Sequence, residues 1–84
     1  MNKSLEERLV GLTQIFGGHL PAEVIDEIVD LITHREWGVA LENLCQQVNE
    51  YDAPLTISTY ETIRSLAAEM NMSDKTWVFL NPNS

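Results

Sequence analysis

The chain has 84 residues, 44% of them hydrophobic, with 13 acidic against 5 basic side chains and a net charge of −8. That length holds one core, residues 1–84 forming a single domain, and the hydrophobic share excludes a disordered chain. The charge, with a pI near 4.4, excludes nucleic acid and anionic membrane as direct ligands, because phosphate recognition needs clustered Lys and Arg.

The chain holds a single cysteine, so neither an internal disulfide nor a zinc-type cluster can form. Cys45 lies on an apolar stripe and is expected to be a small buried hydrophobe, which fits a reducing cytoplasm. Met1-Asn2-Lys3 runs straight into a charged amphipathic segment, so no signal peptide is expected. No apolar run has the length of a membrane span.

In chain order, Ser4 and Glu7 have capping-box spacing and open a first helix through Leu5, Leu9, Leu12 and Phe16. Gly17 and Gly18 stop it, because glycine takes the left-handed conformation without steric cost. His19 follows as a solvated loop residue. Pro21 begins the second helix, where a missing N–H costs nothing. Its apolar arc of Val24, Ile25, Ile28, Val29, Leu31 and Ile32 is wide enough to pack on two neighbours. Glu23, Asp26, Glu27 and Asp30 crowd onto an arc of about 100°, with no cation expected on that face. Such crowding is either a solvated surface or an anionic stripe held for a cationic partner.

His34 and Arg35 mark a short connection, and both can shield the C-terminal carbonyls of the second helix. The organising helix begins near Glu36, with Trp37, Ala40, Leu41, Leu44, Cys45 and Val48 at helical spacing. Trp37, Leu41, Leu44 and Val48 are the expected core, and Gly38 implies the close approach of another backbone or ring. Pro54 ends the pattern by disfavouring helical geometry at Ala53. Glu50, Tyr51 and Asp52 form a second candidate site. Carboxylates at a helix C-terminus oppose the dipole, and a neighbouring tyrosine is a common interface anchor.

Leu55–Ile57 reads as an extended lead. Ser58 and Glu61 then form a second capping box for a fourth helix through Tyr60, Ile63, Leu66, Ala67 and Met70. Asn71 is its left-handed end. Ser73 and Asp74 cap a final turn, and Trp77, Val78 and Leu80 are expected to close over an open end of the bundle. The fold expected is all-α: a small bundle of four amphipathic helices with a short C-terminal helical or irregular segment. Residues 1–3 and 81–84 are expected to be flexible.

Catalysis has little support in these residues. No phosphate loop, HExxH, GxSxG or Cys/His pairing is present. The acidic pairs fall on solvated surfaces, where a carboxylate keeps an ordinary pKa. Neither a cofactor nor a metal site is expected, and Glu23, Glu27 and Asp30 would need a ligand from a second helix to hold a cation.

The run Glu36-Trp37-Gly38, Ala40-Leu41-Glu42, Leu44-Cys45, Gln47-Val48, Glu50-Tyr51 continues through Pro54 to Tyr60, Ile63, Leu66-Ala67 and Met70. It resembles the MafI-type immunity proteins, cytoplasmic antidotes to polymorphic and contact-dependent inhibition toxins of bacteria. The resemblance covers about residues 36–70, with departures at Arg35 and Asn71, where the family usually has glycine. It implies a non-enzymatic inhibitor that binds the C-terminal domain of its own toxin. Many such toxins are nucleases with cationic clefts, an RNase being favoured here over a DNase. An acidic protein can then act as a polyanion mimic. Glu23, Asp26, Glu27, Asp30, Glu50, Tyr51 and Asp52 are the candidate contacts, and the oligomeric state is left open. The competing expectation is a small helical adaptor or regulatory module without a dedicated toxin.

Overall fold

A computed structural model describes residues 4–82. It contains α1 (Leu5–Ile15), α2 (Ala22–Thr33), α3 (Trp37–Glu50) and α4 (Ile57–Glu69), followed by a 3-10 turn over Asp74–Thr76. No strand occurs among the described residues. The all-α bundle expected from the periodicities is the fold observed. Its radius of gyration of 11.7 Å is that of a chain this long packed round one core, about 12 Å.

Each helix contributes its apolar stripe to that core: Leu9, Leu12 and Phe16 from α1, Ile28 and Ile32 from α2, Leu41, Leu44, Cys45 and Val48 from α3, and Ile63, Leu66 and Ala67 from α4. Trp37 is only half-buried, and its indole N–H donates to the Ile32 carbonyl at 3.1 Å, satisfying the polar end of the ring. The buried Thr13 hydroxyl likewise donates to the Leu9 carbonyl at 2.8 Å. α2 packs on both α1 and α3, as its wide apolar arc requires. Arg8 on α1 reaches across to Glu69 on α4, with Nη1 donating to Oε1 at 2.8 Å and Nη2 to Oε2.

Several boundaries differ from the sequence reading. The Ser4–Glu7 capping box forms with both bonds present, but the fourth helix is capped two residues before the expected Ser58. Its N-cap is Thr56, whose hydroxyl accepts from the Thr59 N–H at 3.1 Å. Glu61 turns instead to Arg64 at 2.7 Å, one helical turn on. Pro21 occupies the N-cap position, one residue before the first helical one. Beside Gly38, an added Cβ would meet the Met72 thioether at 3.8 Å, so the neighbour is a flexible side chain rather than a backbone or a ring.

The first helix ends with Gly18 alone at positive φ, 86°, Gly17 not sharing it, and the endings of α2, α3 and α4 share another device. The φ values of Arg35, Asp52 and Asn71 are 63°, 50° and 57°. Each sits one residue past a helix cap, and the next N–H reaches back five residues: Glu36 to Leu31 at 2.9 Å, Ala53 to Val48 at 3.0 Å, and Met72 to Ala67 at 2.9 Å. These are three Schellman endings built without glycine.

The segment after α4 runs along α3. Met72 lies beside Gly38 near the start of α3, and Leu80 and Asn81 lie beside Asn49 and Asp52 at its end. Leu80 is buried and Trp77 half-buried, but Val78, expected to help close the bundle, is 55% exposed, as is Phe79 at 39%. The expected flexibility of residues 1–3, 83 and 84 lies outside the described residues.

Candidate functional site

The exposed face of α2 follows from its register. Ile28 and Ile32 are buried and Val24, Ile25 and Leu31 pack on the core, which turns Glu23, Asp26, Glu27 and Asp30 to solvent together. Among the described residues no Lys or Arg lies within ion-pair distance of these four. One part of the sequence reading is corrected here. The face does carry a potential cation, because His34 caps the helix on the same arc. His34 Nδ1 sits 2.8 Å from the Asp30 carbonyl oxygen and 3.4 Å from its carboxylate. That backbone bond first, then the Asp30 charge, holds the His34 pKa above its ordinary 6.5.

The second candidate group, Glu50, Tyr51 and Asp52, is exposed at the end of α3; Glu50 falls in line with Gln46 and Glu42 by helical spacing, and Tyr51 is the C-cap residue of the helix. Asp52 has left the helix for its positive φ and borders the groove that Leu80 and Asn81 line. It therefore has a structural use, since Asp and Asn enter the left-handed region more readily than other side chains.

What the sequence reading missed lies on the outer side of α3. Val39 is 50% exposed and shares the face of Glu42, Gln46 and Glu50 at i+3, i+7 and i+11. Phe79 borders a groove with Glu42 and Gln46. The exposed Val39 was visible in the helical register; the position of Phe79 depends on tertiary packing and left no local signal. On the far side of the 3-10 turn, Tyr60 meets Trp77 edge-on at 5.7 Å, and the Arg64 guanidinium stacks 5.0 Å from the Trp77 ring centre. That cluster fastens the C-terminal segment to α4.

Cys45 is fully buried; burial first, and the Glu42 charge second, push its thiol pKa up to about 12, so it stays protonated at neutral pH. Among the described residues no group of three His, Cys, Asp or Glu side chains converges as a metal site, and no helix is long and apolar enough to cross a membrane. Comparison with protein-family models, with curated proteins and with solved structures returned no match.

Proposed function

We propose that this chain is a protein-binding inhibitor of the immunity class, and within that class an antidote of the MafI type. It acts in the cytoplasm, without catalysis of its own, by occupying the cationic cleft of a toxin C-terminal domain, an RNase ahead of a DNase. The observation that carries this reading is the exposed α2 face, where Glu23, Asp26, Glu27 and Asp30 stand together without a Lys or Arg partner among the described residues. Like charges at i,i+4 weaken a helix, so such a face serves solubility or a cationic partner. A nuclease cleft must be cationic to hold phosphate, and complementary fields both speed and select the encounter.

The resemblance over residues 36–70 supports the same reading. Its two departures, Arg35 and Asn71, fall on positive-φ residues, the backbone state for which glycine is favoured. The family's usual residue thus suits the local conformation found here.

The test is co-expression with the C-terminal domain encoded by the reading frame immediately upstream. Stable co-purification at physiological salt, with loss of that domain's RNA cleavage, is the expected result. Full toxicity and no complex, or the absence of any exported-protein gene at that position, would favour an adaptor instead.

A further inference from the structure

We propose that Met72 is the oxidation site of this chain, and that a peroxide, by converting its thioether to the sulfoxide, releases the 3-10 turn from α3.

Two surface grooves flank that turn. One runs between the turn and α3, lined by Glu42, Gln46, Lys75 and Phe79; the other runs between the turn and α4, lined by Arg64, Ala68 and Trp77. Met72 is the one residue that lines both. Its side chain packs against the core and reaches Gly38, where Sδ and Cε lie 3.8 and 3.9 Å from the position a Cβ would take. The thioether thus joins the turn to the start of α3. On the other side, Trp77 fastens the segment to α4 through Tyr60 and Arg64.

Access separates the sulfurs. A thioether is oxidised where a peroxide oxygen can reach its lone pair. The two grooves beside Met72 measure about 380 and 410 Å³, many times the ~30 Å³ share of a water molecule, which a peroxide little exceeds. Met70 is also partly buried but lines neither groove. Cys45 is fully buried and protonated, which leaves no thiolate to react.

In the reaction the Met72 sulfur attacks one oxygen of hydrogen peroxide and the O–O bond breaks. The departing hydroxide takes the proton from the transferred oxygen and leaves as water. Sulfur is oxidised by two electrons and the peroxide is reduced. A flexible apolar side chain becomes a polar one, whose oxygen needs water or a donor. Turning it into either groove supplies water and breaks the contact with Gly38. The Met72 N–H, bonded to the Ala67 carbonyl at 2.9 Å, keeps the end of α4 closed while the turn comes free.

The test treats the native protein with hydrogen peroxide, locates the sulfoxide by peptide mass mapping and compares amide exchange before and after. Met1 lies outside the described residues, and its oxidation is scored separately. Met72 should oxidise about tenfold faster than Met70. The amides of Thr76, Trp77 and Val78, bonded to the Ser73 and Asp74 carbonyls, should then exchange about tenfold faster, with those of α2 unchanged. A methionine sulfoxide reductase should restore slow exchange. Met72→Leu, close in volume, should abolish both effects. Met70→Leu should keep them, and it tests the release independently of how the Met72 variant folds. Oxidation of Met70 as fast as Met72 would overturn the site. Unchanged turn amides in the Met72 sulfoxide would overturn the release, and faster exchange in peroxide-treated Met72→Leu would overturn both.

Discussion

Arg35, Asp52 and Asn71 hold φ values of 63°, 50° and 57°, and the three do not hold them at equal cost. A left-handed side chain with a Cβ costs roughly 1–2 kcal/mol, while glycine returns about half of that gain through the freer unfolded chain. Arg35→Gly should therefore raise stability by about 0.5–1 kcal/mol, and Asn71→Gly by less, because Asn is already suited to this region. Urea unfolding midpoints check the order; a destabilised Arg35→Gly would mean that the arginine side chain holds the α2–α3 connection. Cys45 gives a second residue-scale expectation. Its folded pKa of about 12 lies above the ordinary 9.0. The buried thiol thus contributes full stability below pH 9 and loses it as pH rises towards 12. Above about pH 9, the wild type should lose stability more steeply than Cys45→Ala, and thiol reagents at neutral pH should label only the unfolded chain.

At the scale of elements, the start of α4 separates two capping residues that the sequence alone could not rank. Thr56→Ala should cost about 1 kcal/mol, because its hydroxyl accepts the Thr59 N–H, while Ser58→Ala should cost almost nothing. Equal effects would return the N-cap to Ser58. Leu44→Ala, at the centre of α3 with 1% exposure, should cost roughly 2–5 kcal/mol by leaving a cavity; thermal melting checks both. These elements also mark what was legible in the sequence. Helix identity, the apolar stripes and the Ser4–Glu7 box were readable because every partner lies within one or two turns. Asn71 was readable as a left-handed end because its side chain favours that region; Arg35 and Asp52 were not marked by glycine. The α2 stripe was readable, as was the contact of His34 with the last carbonyls of the helix; that His34 also falls on the acidic arc was not, since one more residue of helical register decides its face. Phe79 could not be placed at all. It follows no helical period, and its neighbours Glu42 and Gln46 are more than thirty residues away along the chain.

At the scale of the whole molecule, the α2 carboxylates stand exposed together and should act on association rather than on dissociation. Charges at a distance steer diffusional encounter, and desolvated anchors set the lifetime of the complex. Glu23→Lys with Glu27→Lys should therefore slow association with the toxin domain several-fold and flatten its salt dependence, leaving dissociation nearly unchanged. The α2 double variant should melt close to its parent: it keeps an i,i+4 like-charge pair, now Lys–Lys, and loses Glu23 from the first turn, but sets each lysine three residues from Asp26 or Asp30; thermal melting alongside the binding assay separates a binding loss from unfolding. Acidification should act in the same sense as the α2 variant. As pH falls through the raised pKa of His34, a positive charge appears beside Asp30, and the field that attracts a cationic cleft weakens. His34→Gln should remove that part of the pH dependence, while the folded state loses the small support that protonated His34 gives below its raised pKa. Stopped-flow association at two salt concentrations separates these cases. If the Glu23→Lys, Glu27→Lys pair associated as fast as the parent at low salt, electrostatic steering by α2 would be wrong. If it dissociated much faster, the same carboxylates would also be held in close contact within the complex.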